Sequence, residues 1–419
     1  MYRSNQREIR RLAALQRSPL NAYISECIGG TSTIRAFQAN SRTIQHQRHL
    51  MDLVVMPEWT LENVYNWFSI RLQLCLCTVI LFIVLFAVLT NLNAAVAGLA
   101  LSAVGELGGM FFQSITSFSR LESDFVAAER IDMYCNELEH EAADRLITDP
   151  SETAWPTCGE IKINNLQVKY ASKFDPVIKN LSVQIRGSEK VGVVGRTGSG
   201  KSTLMTALFR IVEPSQGTVE IDGLDVSKLG LHTLRSRLQI IPQEPVLFTG
   251  TVRSNIDVEG KFSDQEIWES LDLVGLKEYV TELAEKLDAP VAERGQNLSV
   301  GQRQLMMLAS AICHKPKILV MDEASSSVDQ AADLLIQSSI RTHFKETTVI
   351  SIAHRVNTIA DFDRIIVLDA GTLVEYDTPA NLLQRENSVF KSLVDATGVA
   401  NAAVVVSIAN NHVVGGAQV

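Results

Sequence analysis

The sequence predicts two architectures in one chain of 419 residues: an α-helical membrane segment, then an α/β domain built on a largely parallel sheet. Three observations predict it. Between Arg71 and Arg120 the only formal charge is Glu106. From about Gly159 onward, short β-type runs (EIKINNLQVKY, KVGVVG, KILVMD, TTVISIAH, RIIVLD) alternate with helical stretches, the pattern of a parallel sheet with crossover helices. The third is GRTGSGKST at 195–203, which follows the strand KVGVV and precedes the helical run TLMTALF.

Residues 1–70 read as helical and mostly polar, with Ile9, Leu12, Leu15 and Leu20 at helical spacing. Two glycines in SECIGGTSTIRAFQAN (25–40) interrupt that pattern and predict a turn. The first crossing is expected over about 72–89 (LQLCLCTVILFIVLFAVL), near the roughly 20 apolar residues that a bilayer requires. TNLN at 90–93 is a polar hairpin, and the second crossing runs over about 94–118. Its Gly98, Gly105, Gly108 and Gly109 suit close helix packing.

Trp59, Trp67 and Phe68 precede the first crossing, where amphipathic rings favour the interface, and arginines flank both ends. Both flanks are therefore expected in the cytoplasm. The alternative is a pair of buried helices in a soluble protein, for which such long uncharged runs are unusual. Glu106 either lines a pathway or hydrogen-bonds a neighbouring helix. Beyond the second crossing the helix continues through ESDFVAAERIDMYCNELEHEA, and DPSETAWPTCG reads as a linker. The expected boundaries are 1–145 for the membrane part, 146–158 for the linker, 159–395 for the α/β domain and 396–419 for a flexible tail without Lys, Arg, Asp or Glu.

The net charge of −9 argues against nucleic acid as a partner, which would need a basic stripe. Six cysteines without CxxC spacing predict reduced thiols and neither disulfides nor a zinc site. Met1 is followed by a basic, polar stretch, so no signal peptide is expected.

GRTGSGKST fits G-x-x-x-x-G-K-[ST] in the strand, loop and helix context that the motif requires, and so predicts a P-loop NTPase, the alternative being a purely structural glycine turn. Gly195, Arg196, Thr197, Gly198, Ser199 and Gly200 form the loop whose backbone N–H groups wrap phosphate. Lys201 reaches the β and γ oxygens, Ser202 ligates Mg²⁺, and Thr203 completes the motif. KILVMDEAS ends a β run on an acidic pair, with Asp322 suited to Mg²⁺ and Glu323 to polarising water, unless the pair merely caps the next helix. Gln243, in IIPQEPVLF, is placed to touch Mg²⁺ and the water. His354 ends a strand and is a candidate γ-phosphate contact or a structural histidine. Tyr170 offers an aromatic face for adenine, or else a core ring. LSVGQRQ (298–304) reads as a helix N-terminus, whose free N–H groups and dipole suit an anion.

GRTGSGKST, Gln243, LSVGQRQ, VMDEASSSVD and His354, in this order, resemble the nucleotide-binding domain of an ABC transporter, an α/β P-loop NTPase with a helical subdomain. Residues 1–145 resemble the end of an ABC exporter's transmembrane domain: the cytoplasmic loop before helix five, then helices five and six. LSVGQRQ with Val300, GLHTLRSRLQIIPQEPVLFTGTVRSNID and AHRVNTI are similar to subfamily C, the multidrug-resistance-associated group, in its second half.

The resemblance implies that Ser299, Gly301 and Gln302 serve an ATP held by a partner nucleotide-binding domain. The site on this chain's own GRTGSGKST, with Glu323, would then be the hydrolytic one. It places SSVD (326–329) at the dimer contact and a coupling helix in ECIGGTSTIRAF. Gln296 departs from the glutamate that the subfamily often carries there.

The implied function is ATP- and Mg²⁺-dependent export of organic anions, conjugates or drugs. The expected partners are membrane lipid and the remaining transporter half, meaning the first nucleotide-binding domain and the missing helices, since an exporter half needs six crossings. The expected membrane is the plasma or vacuolar one, with the nucleotide-binding domain in the cytoplasm. The alternatives are a nucleotide-gated channel or channel regulator of the same subfamily, or a truncated partner that does not transport.

Overall fold

The computed structural model describes residues 2–90, 93–138, 140–150, 155–171, 173–322, 330–353 and 355–416. The chain divides into two compact units, Met1–His140 and Glu141–Val419.

The first unit comprises α1 (Tyr2–Gly29), α2 (Thr31–Ala36), α3 (Asn40–Leu89) and α4 (Ala94–Asn136). The glycine pair separates α1 from α2, as the sequence predicts. Helices α1 and α3 lie side by side. The Tyr23 hydroxyl donates to the Thr43 carbonyl at 3.4 Å, its ring meets His46 edge-on at 4.7 Å, and Arg17 pairs with Glu58.

The stretches 40–89 and 94–115 are each long and apolar enough to cross a membrane, and neither buries its apolar window inside the chain. Asn93 caps α4, its side chain accepting from Ala95 N at 3.2 Å. Asn91 and Leu92 of the expected hairpin lie outside the described residues. The four glycines expected to pack closely divide unequally. A Cβ on Gly108 would come within 2.7 Å of Leu76 on α3, whereas Gly98, Gly105 and Gly109 face open space.

Among the described residues the second unit holds twelve strands: β1 (Ile161–Val168), β2 (Ile178–Ile185), β3 (Lys190–Gly195), β4 (Pro214–Ile221), β5 (Leu224–Asp225), β6 (Leu238–Ile241), β7 (Gly250–Thr251), β8 (Pro290–Val291), β9 (Ile318–Asp322), β10 (Thr348–Ile352), β11 (Arg364–Asp369) and β12 (Thr372–Asp377). The helices among and after them are α5 (Lys201–Leu208), α6 (Leu231–Arg235), α7 (Val252–Ile256), α8 (Asp264–Leu273), α9 (Lys277–Glu282), α10 (Val300–His314), α11 (Gln330–His343), α12 (Pro379–Gln384), α13 (Val389–Asp395) and α14 (Val399–Gly416).

A six-stranded sheet in the order β12-β11-β3-β10-β9-β6 is parallel except for the β11–β12 pair. Its inner strands β9 and β10 are buried at every position, as strands covered on both faces are. EIKINNLQVKY departs from the expectation. It forms β1 of a separate antiparallel sheet, β2-β1-β4-β5, and its alternating burial marks a strand covered on one face only.

Successive side chains of a strand point to opposite faces, so the parallel sheet builds two cores. On one face Ile318, Val320, Ile350 and Ile352 pack with Leu204 and Leu208 of α5 and with the antiparallel sheet. On the other, Leu319, Met321 and Val349 pack with Leu305, Met306 and Leu308 of α10 and with α7 and α8. A third core joins α12, α13 and α14 around Phe390. The flexible tail expected over 396–419 is instead helical through Val399–Gly416, because Val405 and Ala409 are buried, at 1% and 2% exposed.

Candidate functional site

Loop 196–200 leaves the parallel sheet at the carboxyl end of β3 and runs straight into α5. Gly198 (φ +83°) and Gly200 (φ +100°) take the left-handed backbone that only glycine adopts without cost, and the chain thereby turns tightly from β3 into α5. At Gly195 a Cβ would meet the Leu368 carbonyl oxygen at 2.2 Å, so only glycine fits between β3 and β11.

Lys201 is 6% exposed, and its Nζ donates to the carbonyls of Gly195 (2.8 Å) and Arg196 (3.1 Å), so the ammonium arches over the loop. Ser199 is buried, and its Oγ has no hydrogen-bond partner among the described residues. An enclosed hydroxyl without a partner inside a glycine cradle is a polar group waiting for a ligand oxygen. Ser202 is exposed on the first turn of α5. Thr203 is buried, with its hydroxyl 3.1 Å from the Tyr170 hydroxyl; Tyr170 lies just past β1 and keeps its ring half-exposed.

Asp322, buried, ends β9, two strands from β3 in the same sheet. Gln243 follows the end of β6, which pairs with β9. Ala353, just past the end of β10, donates its N–H to the Val193 carbonyl at 3.1 Å. The strand ends that carry the loop, Asp322 and Gln243 therefore share one carboxyl edge, the usual ligand position of an open α/β sheet. Glu323, SSVD (326–329) and His354 lie outside the described residues.

Ser299, Gly301 and Gln302 stand apart from this group, at the start of α10 on the opposite face of the sheet from α5. Ser299 and Gln302 form a capping box: Gln302 N donates to Ser299 Oγ at 3.1 Å and Ser299 N to Gln302 Oε1 at 2.9 Å. LSVGQRQ continues with two residues to which the sequence assigned no separate role. Arg303 Nη1 donates to the carbonyls of Pro245 (3.3 Å) and Arg294 (3.2 Å), and Gln304 Nε2 reaches the Gln243 carbonyl at 3.5 Å. Their place in LSVGQRQ was the only sequence signal.

The entry to the domain is held by two carboxylates that motif reading also missed. Asp149 accepts from Leu146 N, Gly230 N and the Thr233 hydroxyl. Burial raises its pKa, but these three bonds outweigh burial and hold it below the usual carboxylate value. Asp222 accepts from the backbone N–H groups of Thr157, Cys158, Gly159 and Glu160. Burial again opposes, and hydrogen bonds from the Cys158 thiol and from the backbone again win, so its pKa is lowered.

Among the described residues no cluster of three His, Cys, Asp or Glu could hold a metal. Ser202, Gln243 and Asp322 carry a hydroxyl, an amide oxygen and a carboxylate, oxygen donors of the kind that Mg²⁺ takes.

A family profile described as ABC transporter matches residues 178–326. ABC transporter C family member 8 of Dictyostelium discoideum is 43% identical over 399 residues, which are 94% of this chain and 25% of that protein. C family members 9 and 5 of Arabidopsis thaliana are 43% and 42% identical, each over 94% of this chain and 26% of the relative. The chain thus spans about a quarter of the length of these relatives. Among solved structures, a bacterial Atm1-family ABC exporter with ATP bound superposes with a TM-score of 0.80 at 25% identity, covering 95% of this chain and 71% of that one.

Proposed function

This chain belongs to the ABC transporters, with the C family as its relatives, and on that premise we propose that it is the ATP-hydrolysing part of an exporter for organic anions, conjugates or drugs. The observation that carries the reading is the glycine cradle with Lys201 over it, on the same sheet edge as Asp322 and Gln243, in a chain that also supplies two membrane-length apolar helices. We assign 1–145 to a partial transmembrane domain and 159–395 to the nucleotide-binding domain.

Phosphoryl transfer to water asks mainly for positioning and for neutralisation of charge on the transferring group. Backbone N–H groups of 196–200 and the Lys201 ammonium hold the β- and γ-phosphates of ATP, and Ser199 Oγ adds a donor at the cradle wall. Ser202, Gln243 and Asp322 hold Mg²⁺, which neutralises phosphate charge when bound. Tyr170 packs adenine against its exposed ring while its hydroxyl stays on Thr203. Glu323 takes the proton of the attacking water, and His354 donates to the γ-phosphate. Ser299, Gly301 and Gln302 close over the ATP of a partner nucleotide-binding domain. The outward faces of Gly98, Gly105 and Gly109 receive the missing helices, which with membrane lipid cover the apolar windows.

The homologues favour transport over the channel-gating alternative. In the assembled transporter, Glu323→Gln is expected to slow ATP turnover on the order of 100-fold to 10,000-fold while ATP binding persists. Unchanged turnover would remove Glu323 as the base, and loss of binding would show that it builds the pocket instead.

A further inference from the structure

We infer that Arg235 is a positioning residue that relays the state of the phosphate-binding helix α5 to the segment entering the domain from α4; this rests on reading loop 196–200 as an ATP site. The guanidinium of Arg235 faces two ways. On one side its Nε donates to the Phe209 carbonyl at 3.1 Å and its Nη2 to the Arg210 carbonyl at 3.1 Å. Phe209 is the C-cap of α5, so these bonds fasten a cation to the negative end of the helix whose first residue is Lys201. On the other side Nη1 and Nη2 each donate to one carboxylate oxygen of Glu141, both at 2.8 Å, a bidentate fork.

Only residues 137–140 separate Glu141 from Asn136, the last residue of α4. The rest of the entering segment lies along α6, the helix that ends in Arg235. Leu231 N donates to the Ala143 carbonyl (3.1 Å) and His232 N to the Asp144 carbonyl (2.9 Å). Asp149 accepts from Gly230 N and the Thr233 hydroxyl, both at 2.8 Å. Gly230 admits no side chain here, since a Cβ would lie 2.5 Å from the Asp144 carbonyl oxygen and 2.6 Å from Arg145 Cα.

Helix α5 has eight residues, too short to bend, so a shift of its loop end on taking up phosphate displaces its other end as well. One planar guanidinium connects that end to Glu141. A plain staple would hold the segment equally well whether or not nucleotide is bound, and a relay would not.

The test is hydrogen exchange of peptides covering 141–149 in the assembled transporter, with and without a non-hydrolysable ATP analogue and Mg²⁺. In the native protein the analogue is expected to change exchange of this segment about fivefold, within the range of ordinary coupling. Glu141→Gln leaves the bonds of Arg235 to α5 in place and should cut that response below about twofold, with analogue affinity kept. Arg235→Lys, which keeps the charge but loses the fork, should fall between. A full response in Glu141→Gln, or a native protein that binds the analogue with no response at 141–149, overturns the relay. If Glu141→Gln does not assemble, Arg235→Lys decides by the same readout. Failure of the native protein to bind the analogue, or undiminished binding in Lys201→Ala, brings down the reading of the site itself.

Discussion

The two units handle apolar surface in opposite ways. In the first, Ala13 and Val54 are the only buried apolar side chains among the described residues, while Phe82, Leu85, Phe86 and Leu89 stand open. In the second, three cores close over both faces of a parallel sheet, and Phe344 and Phe390 are almost wholly enclosed. The difference teaches which surroundings each unit is built for. The second unit supplies its own apolar environment, and the first leaves the apolar windows of α3 and α4 uncovered by this chain.

The sharpest way to break that comparison is to truncate a phenylalanine in each unit. Phe390→Ala empties a closed site and is expected to cost about 3–5 kcal/mol of second-unit stability in denaturant melts. Phe82→Ala, at 67% exposed, removes no contact of that kind and should leave that unfolding transition where it was. Equal effects would mean that the open faces of α3 are covered within the chain after all.

Next in size is the carboxylate that anchors the entry to the second unit. Asp222→Asn keeps the shape but removes the charge that four backbone N–H groups point at, and should cost about 2 kcal/mol. The sign with pH follows from its lowered pKa. A carboxylate depressed in the folded state contributes stability above its unfolded value, near 3.9, and loses it as pH falls through the folded value. Acid titration of native and Asp222→Asn proteins should therefore converge at low pH; parallel curves would assign the effect to shape instead of charge.

The smallest effect separates glycines within the first unit. Gly108→Ala pushes a methyl group against the terminal methyls of Leu76, which can turn aside only in part, and should weaken the α3–α4 contact by about 1 kcal/mol. Gly105→Ala meets nothing in this chain and, by helix propensity alone, should stabilise the isolated chain in detergent by under about 1 kcal/mol. If Gly105→Ala instead impairs the assembled transporter, its open face is where a missing helix sits.

What was legible beforehand follows a physical rule. The phosphate cradle is made by consecutive residues, since a strand, a glycine loop and a helix N-terminus suffice, so GRTGSGKST announced itself. The membrane helices were legible for a similar reason: hydrogen bonds within a helix are local, and apolar length alone sets the match to a bilayer. Asp322 and Gln243 could be named from their flanking strands, but not their shared sheet edge.

The sequence by itself determined the order of elements, the two helices and the nucleotide cradle, each specified by neighbours in the chain. Only the tertiary structure decided that β1 joins a separate antiparallel sheet, that the uncharged C-terminal stretch is a docked helix, that Gly108 alone of four glycines meets a helix here, and that Arg235 joins Glu141 to the end of α5. Those outcomes rest on pairings between residues far apart along the chain, such as Glu141 with Arg235, 94 positions on. Composition and spacing carry no record of such pairings, because burial and hydrogen bonding across that distance exist only once the sheets have formed.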